Sequence, residues 1–191
     1  MRWKKTVLAG ACAARATSAA LPLIAHEDGM SGSVSVDASA FGSAGDVRFA
    51  RNLWQALSDA GIVGDDAIQT HPYAGSSKHG PVVQYIDGTV TVGDYSGTFI
   101  TKRNYRGEDI SVEEIFADPS SHFDSLGVMF RREEGYAPDS ADWFWAKFMP
   151  DGTVATTPDG MSMAGQVAPC ISCHQPADGE DFVWGHDRFS R

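Results

Sequence analysis

Five residues near the carboxyl end, Cys170-Ile171-Ser172-Cys173-His174, constrain this 191-residue chain more than any other segment. A covalently held porphyrin needs two thiols close enough to reach its two vinyl groups, and an imidazole beside them to bind the iron from the same side. The CxxCH spacing meets all three demands. A chain that carries such a group must fold around a large, flat, apolar disc. Two other chemistries use paired cysteines. A zinc site needs four ligands, but the chain has 3 cysteines, no second cysteine pair and no histidine pair at finger-like spacing. A dithiol redox pair opens a helix after a strand in a thioredoxin-like unit, whereas this pair follows Pro169 near the end of a segment of different pattern. The residues favour a c-type haem with iron bound by His174, and zinc and dithiol exchange stand as the alternatives.

The amino terminus agrees with that choice, because c-type haem is attached outside the cytoplasm. Residues 1–25 open with Arg2, Lys4 and Lys5, continue through small and apolar residues, and reach small residues between Ala19 and Ala25, as an export signal does. Arg15 interrupts the apolar run, which is too short to span a bilayer, so no stable membrane insertion is expected. Cleavage near residue 25 would remove Cys12 and four basic side chains. The formal net charge of -10 for the whole chain would then become -14, with 11 basic and 25 acidic residues. So acidic a protein is a poor ligand for nucleic acid or anionic lipid. The expectation is a periplasmic protein with a flexible linker over residues 26–45, rich in Gly, Ser and Ala, and one domain over residues 46–191.

Within the domain the hydrophobic period changes twice. Asp46 can cap a helix whose face carries Phe49, Leu53, Trp54 and Leu57, and Gly61 can end it. Beyond residue 80 the period becomes two. VVQYID, TVTVGD and GTFITKRNY read as consecutive antiparallel strands, punctuated by Asp87-Gly88 and Ser96-Gly97. Ser111 and Glu114 suit a capping box for a short helix that stops before Pro119. LGVMFRRE and DWFWAKF supply two more strands. In the second, Trp143, Trp145 and Lys147 alternate with Phe144, Ala146 and Phe148, before a turn at Pro150-Asp151-Gly152. The fold class expected is α+β: a small antiparallel sheet with flanking helices around one covalently attached c-type haem. The tail after His174 reads as polar and short.

GYAPDSADWFWAKFMPDGTV at 135–154, CISCH at 170–174 and KHGPVVQYID at 78–87 together resemble the cytochrome P-460 family, over roughly residues 46–175. The resemblance implies a homodimer whose haem iron has a histidine on one side and an exchangeable position on the other. Family members that oxidise hydroxylamine carry a lysine covalently linked to the porphyrin rim. The related cytochromes c′-β lack that link and bind nitric oxide or carbon monoxide. GTFITKRNY resembles the family segment that holds the cross-linking lysine, which makes Lys102 the residue expected to bind the cofactor and act in catalysis. Lys147 and Lys78 are the alternatives. Strand alternation puts Lys102 on the side of Ile100, where a partly buried amine beside the haem is reasonable.

The function implied is oxidation of hydroxylamine, a small nitrogen substrate, to nitric oxide or nitrous oxide, with electrons passed to an external redox acceptor. The alternatives are a non-enzymatic gas-binding protein of the c′-β kind and a simple electron-transfer cytochrome. For the last, Met129, Met149, Met161 and Met163 are the thioethers available as a second iron ligand, and they read more naturally as core or loop residues. Gln166 lies where the resemblance places a polar group near the substrate; an amide can hold substrate or water there. Glu133 and Glu134, next to Arg131 and Arg132, read as a solvated charge cluster. His71, His79 and His122 are the imidazoles that could carry protons. Trp143, Phe144, Trp145 and Phe148 are expected to pack the porphyrin and core, and Phe99, Phe116, Phe123 and Phe130 to wall the pocket.

Overall fold

The computed structural model describes residues 41–76, 78–177, 179 and 181–183. The expected export segment and most of the expected linker lie outside the described residues.

Helix α1 (Ala44–Asp59) begins earlier than the composition shift suggests, because Ser43 rather than Asp46 is its N-cap. The Ser43 hydroxyl accepts from the Asp46 amide at 3.1 Å, and the Asp46 carboxylate accepts from the Ser43 amide at 3.1 Å. Asp46 therefore occupies the third helical position of a capping box, where its charge also suits the positive end of the helix. Residues 43–45, expected as linker, thus belong to the helix and its cap. Ala50, Leu53 and Leu57 form the buried stripe of this helix, with Phe49 and Trp54 packed beside them.

Six strands follow in a continuous antiparallel meander, β1 (Tyr73–Ala74), β2 (Val82–Val92), β3 (Tyr95–Tyr105), β4 (Phe123–Arg131), β5 (Trp143–Phe148) and β6 (Ala164–Gly165), in that spatial order. Helix α2 (Val112–Ala117) lies between β3 and β4, and α3 (Ala168–His174) follows β6. Ser111 caps α2 by accepting from the Glu114 amide at 3.1 Å. The Glu114 carboxylate pairs with His122 Nε2 at 3.0 Å instead of closing the expected reciprocal box.

The glycines expected to break the second and third strands do not. VVQYIDGTVTV is a single strand, and the reversal occurs at Gly93-Asp94, where Gly93 takes φ +63°. Gly88 and Gly97 sit inside the paired strands because their partners come too close for a side chain. A Cβ on Gly88 would meet the Phe99 ring at 3.1 Å, and one on Gly97 would run into the Arg131 carbonyl oxygen and meet the Phe130 ring at 2.6 Å. Ring bulk at 88, and ring together with backbone at 97, require glycine from the adjacent strand, and a single sequence does not display that pairing.

Alternation along the strands divides the sheet into two apolar faces. Phe99, Val128, Phe130, Phe144, Ala146 and Phe148 pack under α1 as the main core. Ile100, Met129, Trp143 and Trp145 lie on the other face, against Val167, Val183 and the residues of α3. The expected division of DWFWAKF into an aromatic-plus-lysine side and a phenylalanine side is the observed one. Of the four phenylalanines expected to wall the pocket, Phe99 and Phe130 belong to the main core, Phe123 packs beside it, and Phe116 is exposed.

Candidate haem-binding site

On the face away from α1, register builds the floor of a cavity. Ile100, Met129 and Trp145 stand directly opposite one another across β3, β4 and β5, and so do Lys102, Gly127 and Lys147 two residues away. Gly127 separates the two lysines. A Cβ built on it would meet nothing nearer than the Lys102 carbonyl oxygen at 3.9 Å, so the middle of this row is open. Above it lies a cavity of about 250 Å³.

Helix α3 supplies one wall. Pro169 stands in its first turn, where a missing amide costs nothing. Cys170, Cys173 and His174 all line the cavity, and the two thiols are free. Burial, followed by the neighbouring Cys173, pushes the Cys170 thiol up to about 11, with Lys147 opposing the shift. A thiol so reluctant to ionise is unlike the attacking sulfur of a dithiol oxidoreductase. No group of three or more His, Cys, Asp or Glu side chains among the described residues is placed to hold a metal ion, so the zinc reading finds no ligand set among them.

His174 is oriented by the chain that follows it. Its Nδ1 donates to the Phe182 carbonyl oxygen at 2.7 Å, which leaves Nε2 as the nitrogen with a lone pair. The Trp145 ring centre lies 5.0 Å from that of His174, and burial lowers the imidazole's pKa from its ordinary value. The tail is therefore not merely polar. Phe182 and Val183 join the apolar cluster, and Asp181, with 0% exposure, pairs with Arg131 at 3.2 Å. Arg131 in turn stacks 4.4 Å over the Trp143 ring. This corrects the reading of residues 131–134 as a solvated cluster: Arg131 is buried, while Arg132 and Glu133 form the partly exposed pair.

The structure brings Lys102 to the cavity together with the CISCH residues. It is partly buried, and burial lowers its pKa from the usual amine range. Lys78, Arg106 and Lys147 also line the cavity, and no carboxylate does so among the described residues. Gln166 is not brought there. Its Oε1 accepts from the Ser140 hydroxyl at 2.9 Å and its Nε2 donates to the Trp143 carbonyl at 3.0 Å, so its amide holds β5 to the preceding turn rather than facing a substrate. Among the methionines, Met129 and Met163 line the cavity, whereas Met149 is exposed. His71 packs on Phe116 and His122 on Glu114, away from the site.

One lining residue carried little weight in the sequence. His79, in the loop between β1 and β2, borders the cavity with its ring centre 5.9 Å from that of His174. Burial, then Lys102 and His174, push its pKa down to about 4 against the opposing effect of Asn104, so the ring is neutral at pH 7. The flanking Lys78-His79-Gly80-Pro81 was the only signal, and its 95-residue separation from His174 conceals the contact.

These features fit a haem. Two thiols and an oriented imidazole share one wall, an apolar floor offers Ile100, Met129 and Trp145, and a buried Trp145 Nε1 lacks a partner among the described residues. Lys78, Arg106 and Lys147 in the lining supply cationic partners for the two carboxylates that a haem carries. A family model described as Cytochrome P460 matches residues 76–185, a span that includes His79, Lys102, the β5 tryptophans and CISCH. No curated protein and no solved structure matches the chain.

Proposed function

The chain belongs to the cytochrome P460 family of haem cytochromes, and from that premise we propose that it is an exported c-type cytochrome that oxidises hydroxylamine to nitric oxide or nitrous oxide. The observation that carries this reading is the meeting of Lys102 with Cys170, Cys173 and His174 around one cavity. When bound, the haem supplies an iron that can take the substrate nitrogen and withdraw its electrons. Everything else falls to the chain. Cys170 and Cys173 would hold the group by thioether bonds, and His174 would offer Nε2 to the iron because the Phe182 carbonyl holds Nδ1. Lys102 stands on a rigid central strand, from which a covalent link to the porphyrin rim would tune the cofactor. Ile100, Met129 and Trp145 exclude water from the floor. In this reading the protein works in the periplasm as a homodimer and passes electrons to an external acceptor.

The test is hydroxylamine-dependent reduction of a soluble electron acceptor by purified holoprotein. The expected result is reduction, accompanied by a ferrous Soret band shifted strongly to the red. Gas binding of the c′-β kind is the second reading, favoured by the apolar floor and by the lack of a carboxylate proton acceptor among the described lining residues. An unshifted Soret band that responds to nitric oxide, with no acceptor reduction, would select it over the first.

A further inference from the structure

His79 and His174 come from opposite ends of the domain yet border the same cavity, with ring centres 5.9 Å apart and planes inclined at 83°. Two imidazoles bound through Nε2 to opposite sides of one metal ion, with metal–nitrogen bonds of about 2.0–2.1 Å, have ring centres roughly 6 Å apart.

The protonation of each ring follows from its partners. On the His174 side, a carbonyl can only accept, so Nδ1 carries the proton donated to Phe182 and Nε2 keeps its lone pair. On the His79 side a longer chain gives the same answer. The Asp124 carboxylate, paired with Arg106 at 3.2 Å, accepts from the Ser125 hydroxyl at 2.8 Å. Ser125 Oγ, its proton thus committed, accepts from Asn104 Nδ2 at 3.2 Å. Asn104 therefore turns Oδ1 toward His79, 3.2 Å from Nδ1, and that nitrogen must be the donor. His79 Nε2 is left with its lone pair and without a hydrogen-bond partner among the described residues. Carbonyl- or amide-oriented Nδ1 with free Nε2 is the arrangement that metal-binding imidazoles use.

Backbone geometry fixes the loop that carries His79. Gly80 takes φ +113° and packs so close to the Tyr105 carbonyl that no side chain would fit there. This ties His79 to the end of β3, beside Asn104, where a bulge interrupts the register with β4.

We infer that His79 is the second axial ligand of the haem iron, bound through Nε2 on the side opposite His174. The inference rests on haem attachment through CISCH and does not depend on hydroxylamine oxidation. A substrate or gas reaches the iron by displacing this imidazole, so the resting protein has both axial positions filled.

Ferric holoprotein, purified from an exporting host able to attach haem, is expected to show low-spin visible and electron paramagnetic resonance spectra. His79→Ala is expected to lose the low-spin signal, become high-spin, and retain the mass of the attached haem. Added imidazole is expected to restore the low-spin spectrum. Should the alanine variant not mature, His79→Gln, which keeps a donor for Asn104, is read in the same way. A high-spin wild-type protein, or a variant that stays low-spin, would overturn the inference. High-spin wild type that still oxidises hydroxylamine sinks only the His79 ligation. Low-spin wild type that converts in the variant but never oxidises hydroxylamine sinks only the proposed function.

Discussion

Lys102→Arg is expected to leave both thioether bonds and His174 in place, and to abolish both the red-shifted ferrous Soret band and hydroxylamine oxidation. The reason is chemical rather than electrostatic. A lysine amine in a partly buried site has its pKa lowered by desolvation, which increases the neutral form whose nitrogen lone pair a link to the porphyrin rim would require. Arginine keeps the positive charge but presents a delocalised guanidinium that stays protonated. Register alone does not separate Lys102 from Lys147, since both stand opposite Gly127 on strands paired on both sides. Lys102 is the expected residue from the resemblance of GTFITKRNY, and it also borders the adjoining cavity with Cys173 and His174, which Lys147 does not line. Lys147 occupies the same row on β5 and serves as the control, since Lys147→Arg is expected to retain the shift. The check is a ferrous spectrum and a mass measurement on each variant. A shifted band surviving in Lys102→Arg and vanishing in Lys147→Arg would transfer the role to β5.

Asp181→Ala should be the most destabilising single change outside the main core. It removes one half of an ion pair whose side chains are 6% and 0% exposed, leaving the Arg131 guanidinium buried against Trp143 without this carboxylate. Breaking a buried pair in this way costs about 3–5 kcal/mol. For a domain of this size that corresponds to a fall in Tm on the order of 10 °C. The consequence reaches the site, because Asp181 anchors the segment whose Phe182 carbonyl orients His174. Thermal unfolding followed by circular dichroism measures the effect. Combining Asp181→Ala with Arg131→Met removes the buried guanidinium as well, and is expected to recover a large part of the loss. A fall of less than about 1 kcal/mol in the single variant, the size of an exposed pair, would mean that the bridge is solvated.

How far these features could be read from the sequence depends on how local their cause is. Alternation in DWFWAKF and the stripe of Leu53 and Leu57 are visible because burial imposes a period on neighbouring residues. CISCH is visible because both thioether bonds and the iron ligand lie within five residues. Lys102 was reached through a resemblance and its parity with Ile100. The misread positions have remote causes. Gly88 and Gly97 looked like turns because their requirement comes from the adjacent strand, from Phe99 in one case and from Phe130 and the Arg131 backbone in the other. Arg131 looked solvated because its partner is 50 residues away, and Gln166 looked functional because its hydrogen-bond partners, Ser140 and Trp143, were not adjacent. His79 was one loop imidazole among several until the end of β3 placed Asn104 beside it.

All of these roles presuppose a porphyrin joined to the chain, so the intact mass of the exported protein is the most direct measurement. The account predicts coloured protein heavier than the polypeptide by one haem, with that mass retained on the peptide spanning Cys170–His174 after extraction with acidified organic solvent. Colourless protein of bare polypeptide mass from a host that matures other c-type cytochromes, or a haem that extraction removes, would contradict it.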